Sequence, residues 1–326
     1  MAKRIPFNQF AREITKHHNK SKFHRKEIRA FAAYKSVLVP VEVWENALGR
    51  NMYSMEAGTN VSLSRPSIKY SDIQKDNTVD DLFEDLDSLI QVIAKKKINS
   101  LIVTGNAGIG KTHTVINTIE KKRLVRERDY LVFRSKTSPL GLYMNLFLHH
   151  DKVIIFDDLD DLFTNDDCSS ILKAALDSYD VREISWSSKK MINVVGMDPG
   201  RKAQIESEAR EQLLSGNPDV VLPNRFTFKG QIIFISNMSA DKFDKAVLSR
   251  SMNIDLTLSD RQVFSRMKNI VSKMVSNPEI AKKSMSTIID KYNDGTLSHP
   301  NMRTVLNFAN VLQSGISNPD RLSKYC

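Results

Sequence analysis

The chain has 326 residues, of which 41% are hydrophobic and 26% charged, so it is long enough to bury one large core or two modest ones. Its 12 glycines and 10 prolines are too few for a collagen-like or low-complexity protein, and its formal net charge is +10. The longest apolar runs, such as residues 153–156, are far shorter than the roughly 20 residues that cross a bilayer, and no apolar segment of a secretory signal follows the basic start. We therefore expect a cytoplasmic protein without a membrane partner.

Most of the positive charge lies in the first 35 residues, which contain ten Lys or Arg and two Glu. Aromatic and histidine residues alternate with these cations, so the segment could neutralise phosphates and stack on bases, with Arg25 and Lys26 as candidate contacts. The same aromatic residues could instead form the buried face of a helix that docks on a partner. We expect a basic N-terminal extension over residues 1–36 and a linker over 37–77, where only a short strand interrupted by proline stands out.

From residue 78 the pattern becomes regular. Apolar residues at the spacing of one helical face predict a helix over 78–97, with acidic residues near its start and lysines at its end. Short apolar strands separated by helical stretches then predict a parallel sheet with crossover helices. The predicted strands are 101–103, 130–133, 153–156, 232–235 and 252–256. Helices alone are predicted afterwards, over 260–276, 279–291 and 300–313, so we expect an α/β domain over 78–258 and a helical lid over 259–326.

The first strand of this sheet runs into a glycine-rich loop of the form Gly-x4-Gly-Lys-Thr, and a helical stretch over 113–122 follows. This is the context in which such a loop binds phosphates, because glycines let backbone N–H groups turn inward and the helix N-terminus adds positive charge. Lys111 would reach the β- and γ-phosphates, and the Thr112 hydroxyl would ligate Mg²⁺. The residues predicted to bind ATP are Gly105, Asn106, Ala107, Gly108, Ile109, Gly110, Lys111, Thr112 and His113.

The strand over 153–156 ends in two carboxylates, Asp157 and Asp158. Open parallel sheets bind their ligands at the carboxyl ends of the strands. We therefore expect Asp157 to hold Mg²⁺ and Asp158 to polarise the attacking water. Asp160 and Asp161 follow closely, and the whole group could be a solvated helix start, but we assign these two a mostly structural role.

Three polar residues further along the chain complete the candidate site. Asn237 ends the strand that would lie beside the Asp157 strand, so its amide could orient water or contact the γ-phosphate; a surface turn is the alternative. Arg250 lies between a short helix and a strand, where it would face a neighbouring subunit and stabilise charge on the transferred phosphoryl group. Arg303 lies in the first turn of a lid helix, from which it could reach the nucleotide. A surface salt bridge is the alternative for either arginine.

The order of these motifs over residues 78–315 resembles that of the AAA+ ATPase superfamily. The resemblance identifies 105–112 as Walker A, 153–158 as Walker B, Asn237 as sensor 1, Arg250 as arginine finger and Arg303 as sensor 2. It implies a P-loop NTPase fold with a helical lid, hydrolysis of ATP with Mg²⁺, and assembly into a homo-oligomeric ring, usually a hexamer.

Two details refine this resemblance. The Ser-Arg-Ser motif at 249–251 is similar to that of clamp-loader-type members, and the stretches 176–186 and 226–237 are similar to poorly characterised AAA+ proteins of tailed bacteriophages. Such proteins would work in the host cytoplasm. Asp158 stands where most members have glutamate, and its shorter side chain either brings the water closer or slows hydrolysis; initiator-type members tolerate such an Asp pair.

An insert is predicted over 187–225, because this connection is much longer than the usual loop of roughly 2 to 6 residues. In rings of this superfamily, loops in this region line the central pore and grip a polymer through lysine or aromatic residues. Trp186, Lys189 and Lys190 are the candidates that the resemblance implies. Trp186 could instead be buried against the sheet.

Three functions fit these patterns. The first is an ATP-driven ring that remodels or translocates nucleic acid in phage DNA metabolism. The second is a remodeller of phage or host proteins that docks its partner through the N-terminal extension. The third is a scaffold that binds ATP as a switch and hydrolyses it slowly.

Overall fold

The computed structural model describes residues 3–4, 7–18, 22–35, 37–39, 47–49, 52–54, 67–187, 191–217 and 219–325. The chain divides into two compact units, Met1–Ser67 and Ile68–Cys326.

The described residues of the first unit form two helices and five very short strands. The helices are α1 (Phe7–His18) and α2 (Arg25–Tyr34), and the strands are β1 (Lys3–Arg4), β2 (Lys22–His24), β3 (Val37–Leu38), β4 (Ala47–Gly49) and β5 (Met52–Ser54). β1 pairs with β3 in parallel, while β5 pairs antiparallel with both β2 and β4. β4 and β5 lie within the predicted linker; strands of three residues carry too little alternation for the sequence to reveal them.

Aromatic residues of the first unit form its core. Phe10 and Ile14 of α1 and Ile28 and Phe31 of α2 are buried, and the Phe10 and Phe31 rings meet edge to face at 5.6 Å. Phe23 of β2 is buried as well. These three phenylalanines are therefore buried, which is the alternative to base stacking that the sequence left open. Their rings are not available to stack on bases.

A five-stranded parallel sheet organises the second unit, in the order β12–β6–β11–β8–β7. The strands are β6 (Ser100–Gly105), β7 (Tyr130–Phe133), β8 (Val153–Asp157), β11 (Gln231–Ile235) and β12 (Met252–Leu256). Mostly apolar runs form the three inner strands β6, β8 and β11, because both faces of the sheet are buried there, whereas the edge strand β12 exposes Asn253 and Asp255. In β6, for example, Leu101 and Val103 belong to one hydrophobic cluster and Ile102 to the other.

Helices cover both faces of this sheet. They are α3 (Asn77–Ala94), α4 (Lys111–Lys121), α5 (Pro139–Leu148), α6 (Asp166–Ala175), α7 (Pro199–Leu214) and α8 (Lys245–Ser249). α3 and α4 contribute to the first cluster, and α5 and α6 to the second. The predicted α/β architecture, a parallel sheet flanked by helices, is confirmed.

The segment before β11 contains an antiparallel ribbon that the sequence did not reveal. β9 (Arg182–Ser185) pairs with β10 (Arg225–Phe228), and α7 lies between them in the chain. Trp186 is half-buried, and its ring lies against that of Tyr143 in α5, with ring centroids 5.9 Å apart. The other two pore candidates, Lys189 and Lys190, lie outside the described residues.

The C-terminal region is helical, as predicted, with α9 (Asp260–Met274), α10 (Pro278–Asn293) and α11 (Met302–Gln313). Each helix begins at a polar cap: the side chains of Ser259, Asn277 and Asn301 accept hydrogen bonds from backbone N–H groups of the first turn.

In the described part of the chain, no helix combines the length and apolar character that a membrane span needs.

Candidate nucleotide-binding site

The glycine-rich loop joins the end of β6 to the start of α4, and two of its glycines are required by close packing. Gly105 has φ +137°, and a Cβ there would lie 2.6 Å from the backbone of Leu256 in β12. Gly108 has φ +74°, and its Cβ would lie 2.6 Å from the Cβ of Asn301, the cap of α11. The loop is therefore held between the sheet edge and the last lid helix.

Backbone donors at the start of α4 form the anion-binding part of the site. The N–H groups of Gly110, Lys111, Thr112 and His113 donate no hydrogen bond to any described part of the chain. The N-terminus of a helix carries a partial positive charge, so four free donors there suit the oxygens of a phosphate group.

Lys111 is 5% exposed, and three oxygens hold its ammonium group. Its Nζ donates to the carbonyls of Gly105 and Asn106 and to Oδ1 of Asn237, each at 2.8 Å. Burial lowers the pKa of Lys111, while the nearby charge of Asp158 opposes this effect.

The predicted ATP-binding residues divide into two groups. A cleft of about 1410 Å³ extends from the loop along α3 and α4 to the lid helices α9 and α11. Its lining includes Ala107, Gly108, Gly110, Lys111, Thr112 and His113. The other three residues shape the loop from behind: Gly105 packs on β12, Asn106 accepts a hydrogen bond from the N–H of Leu258 at 2.6 Å, and Ile109 is buried in the core.

The donor set expected for Mg²⁺ is formed by Thr112 and Asp157. The Thr112 hydroxyl donates to Oδ1 of Asp157 at 2.8 Å, where α4 begins and β8 ends. A hydroxyl and a carboxylate are the hard oxygen ligands that Mg²⁺ prefers, and this ion usually takes its remaining ligands from water and substrate phosphates. Within the described residues, no group of three or more His, Cys, Asp or Glu could hold a metal ion by itself. The residues present fit Mg²⁺.

Asp158 and Lys111 are linked through the side chain of Asn237. Nδ2 of Asn237 donates to Oδ1 of Asp158 at 2.8 Å, while its Oδ1 accepts from Lys111. β11 lies between β6 and β8, so Asn237, the second residue after β11, contacts groups that follow both neighbours. Asp158 has a left-handed backbone with φ +59°. Burial, and then the charge of Asp157, raise the pKa of Asp158, as suits a group that accepts a proton.

The next two acids contact groups beside the cleft. Asp160 accepts a hydrogen bond from Ser236 Oγ at 2.6 Å, and Asp161 forms an ion pair with Lys136 at 2.7 Å. Ser236 precedes Asn237, so its bond to Asp160 braces the turn that carries the amide. This geometry agrees with the structural role predicted for both acids.

The two predicted arginines differ in where they lie. Arg303 lines the cleft, because the N–H of Met302 donates to the carbonyl of Gly108 at 2.9 Å and sets the start of α11 on the loop. Arg250 is exposed at the end of α8, where it donates to the carbonyl of Ala246 at 3.1 Å. Among the described residues that line the cleft, Arg250 is absent. It therefore lies outside the cleft of its own chain.

Two arginines that the sequence analysis missed also line the cleft. Arg134 Nε donates to Oδ2 of Asp157 at 2.9 Å. Arg134 directly follows the predicted strand over 130–133, and this position could have marked it as a candidate site residue. Arg266 of α9 packs on the ring of Phe83, with its guanidinium carbon 3.1 Å from the ring centroid, and burial lowers its pKa to about 10. Nothing in the helical pattern around Arg266 marks it.

Comparison with known proteins adds one relative. No protein-family model matches the chain. Over 241 residues it is 27% identical to an uncharacterised 36.7 kDa protein encoded in the nrdC–mobD intergenic region of Enterobacteria phage T4; the match covers 68% of this chain and 66% of that protein's length.

Two solved structures from Thermotoga maritima resemble the chain distantly. A RuvB variant aligns with a TM-score of 0.36 and 12% identity, over 75% of this chain and 71% of RuvB. Domain III of the replication initiation protein DnaA aligns with a TM-score of 0.38 and 13% identity, over 74% and 90% of the respective chains. Scores this low carry no conclusion about chemistry.

The geometry of this chain itself defines its fold. Five parallel strands place the glycine-rich loop, Asp157 and Asn237 at one edge, and a helical C-terminal region rests on the loop. The chain therefore has an α/β fold in which helices flank a parallel sheet, with a helical C-terminal region.

Proposed function

We propose that this protein binds ATP with Mg²⁺ and hydrolyses it. The observation that carries the proposal is the chain of contacts from Lys111 through Asn237 to Asp158, beside a helix start with four free N–H donors. These groups supply a phosphate cradle, a cation and a carboxylate with a raised pKa within one cleft.

Each residue has a distinct task in this reaction. The N–H groups of 110–113 and the ammonium of Lys111 bind the phosphate oxygens. Thr112 and Asp157 would hold Mg²⁺, which neutralises charge on the phosphates when it is bound. Asn237 orients a water molecule, and Asp158 accepts its proton as the water oxygen bonds to the γ-phosphorus. The bond from that phosphorus to the bridging oxygen breaks, and ADP and inorganic phosphate leave.

The two predicted arginines act from different chains in this proposal. Arg303 contacts the nucleotide of its own chain from the start of α11, which the bond between Met302 and Gly108 supports. Arg250 completes the site of a neighbouring copy, which its exposed position outside the cleft supports. Such a division requires a homo-oligomer, and a hexameric ring is the form that we propose.

Nucleic acid is the substrate class that we favour for this ring. The basic surface of the first unit supports it, and Arg25 and Lys26 are both exposed there. The role that we propose is in phage DNA metabolism in the host cytoplasm; the uncharacterised phage relative supports the phage context. Remodelling of a phage or host protein is the second candidate.

Phosphate release from ATP with Mg²⁺ tests the central proposal. Lys111→Ala should lower the rate at least a hundredfold, because it removes both a charge and a positioning contact. Lys282→Ala is the matched control, since Lys282 is an exposed lysine of α10 that does not line the cleft. Equal rates for the wild type and Lys111→Ala would refute the assignment.

Three further measurements test the proposed ring and separate the candidate functions. Light scattering with a non-hydrolysable ATP analogue reports whether nucleotide drives ring assembly. Added single-stranded DNA, duplex DNA or RNA should increase turnover if nucleic acid is the substrate. Unchanged turnover with all three would favour protein remodelling. A single-turnover rate that is the same for the wild type and Asp158→Asn would favour the ATP-switched scaffold.

A further inference from the structure

The described surface of the first unit is strongly basic. Seven Lys and Arg side chains are exposed there, including Lys16 at the end of α1 and Lys35 after α2. The two carboxylates in the same described part are both engaged: Glu13 accepts from Gln9 at 2.9 Å, and Glu27 accepts from the N–H of His24 at 2.8 Å. An excess of positive charge therefore faces solvent.

Three exposed rings, His17, His18 and Tyr34, form a contiguous group among these cations, which we call the ring platform. The His17 ring centroid lies 4.6 Å from that of His18 and 5.4 Å from that of Tyr34. Buried Phe31 supports the platform from below, with its ring 5.3 Å from His17. Tyr34 is 70% exposed, and Nζ of Lys35 lies 5.5 Å from its ring centroid.

The ring platform has a different role from the phenylalanines beneath it. The phenylalanines are buried and hold the helices together, whereas Tyr34 leaves most of its surface in water. An exposed tyrosine alone is unremarkable on a protein surface. Three exposed rings in contact, beside exposed lysines, are the combination that binds unpaired bases and their phosphates together.

We propose that the ring platform binds single-stranded nucleic acid, with bases stacked on its rings and phosphates bound by the neighbouring lysines. This rests on the nucleic-acid branch of the proposed function and names the form of the polymer and the place where it binds. A single strand fits better than a duplex, because base faces inside a duplex are covered by their neighbours.

Fluorescence anisotropy of the full-length protein with a labelled oligothymidylate tests the stacking. Tyr34→Ala should weaken binding roughly tenfold, and Tyr34→Phe should keep the wild-type affinity because the ring remains. Tyr179→Ala is the matched control, since Tyr179 is 75% exposed but belongs to the second unit. Wild-type affinity in Tyr34→Ala would overturn the proposal.

Salt and competitors test the nature of the ligand. Lys16→Gln and Lys35→Gln should each reduce the slope of log affinity against log salt by about 0.7, the value for one phosphate contact to a single strand. The duplex of the same length should bind more weakly than the single strand. Duplex binding as tight as that of the single strand, or equal competition by polyglutamate, would overturn the proposal.

Crosslinking makes the test independent of any variant that fails to fold. Iodouridine in the oligonucleotide should crosslink to Tyr34 or the adjacent histidines of the wild-type protein, as mapped by mass spectrometry. Crosslinks found only in the second unit would overturn the proposal. Lys111→Ala should still bind the oligonucleotide. Loss of ATP hydrolysis can therefore be distinguished from loss of single-strand binding at the ring platform.

Discussion

Arg134 Nε donates a hydrogen bond to Oδ2 of Asp157 at 2.9 Å, on the carboxylate that we assign to Mg²⁺. The other oxygen of Asp157 accepts from Thr112. Both oxygens of this buried carboxylate thus have partners in the protein itself. Because a cation on Asp157 would lie close to the guanidinium, Arg134 would compete electrostatically with Mg²⁺ for this carboxylate.

Removal of this arginine should strengthen the binding of Mg²⁺ at Asp157, so that less Mg²⁺ is needed for nucleotide binding. We expect Arg134→Gln to lower the Mg²⁺ concentration for half-maximal binding of a fluorescent ATP analogue by roughly two- to fivefold, a modest effect because Arg134 is partly exposed. Arg128→Gln is the control, since Arg128 pairs with Asp129 outside the cleft. Identical Mg²⁺ curves for the wild type and Arg134→Gln would show that the two cations do not compete.

Arg250 should act on a neighbouring copy. Arg250→Ala should leave ATP binding intact and lower hydrolysis by at least a hundredfold, because this side chain lies outside its own cleft. A mixture of Arg250→Ala with Asp158→Asn should recover part of the rate, since some interfaces then combine an intact arginine with an intact carboxylate. Phosphate release across a series of mixing ratios measures this; a rate that never rises above the sum of the two variants would contradict action in trans.

Gly108 offers a test of the contact between the loop and the lid. Gly108→Ala should abolish tight ATP binding, because its Cβ would lie 2.6 Å from Asn301 and push α11 off the loop. Gly216→Ala has nearly the same backbone strain, with φ +76°, but its Cβ meets open space. The control should cost about 1 kcal/mol of the free energy of unfolding and leave ATP binding unchanged. Equal ATP affinity in the two variants, by calorimetry, would exclude the proposed coupling.

Asp244 should stabilise the short helix that carries Arg250. Its carboxylate caps α8 through the N–H of Ala246 and pairs with Lys173 of α6 at 2.8 Å. The bond to Lys173 and those of the cap lower the pKa of Asp244 to about 2. Asp244→Ala should therefore lower the free energy of unfolding by about 1 kcal/mol at neutral pH.

The pH dependence of this effect follows from the sign of the shift. A carboxylate with a lowered pKa in the folded state adds stability above its unfolded pKa, near 3.8, and loses it as the pH falls towards 2. The difference between wild type and Asp244→Ala in urea titrations should shrink over this range. A difference that stays constant down to pH 2 would show that the charge of Asp244 is not involved.

Much of the candidate site was predictable because it depends on short, continuous stretches of chain. The strands 130–133 and 252–256 agree with β7 and β12, and the lid helices agree within a few residues at each end. Loop, strand end and helix start follow one another in sequence, so their relative positions depend on local geometry and on the common direction of parallel strands. The residue assignments themselves await the experiments above.

Other features depended on contacts that no local pattern contains. The sequence alone determined that Lys111, Asp157 and Asn237 each follow a buried strand. Only the tertiary structure decided that β11 lies between the other two strands, which joins Lys111 to Asn237 across 126 positions of the chain, and that Arg134 reaches Asp157. The physical reason is that periodicity reports which face of an element is buried, whereas the order of strands is selected by how all the buried faces pack together.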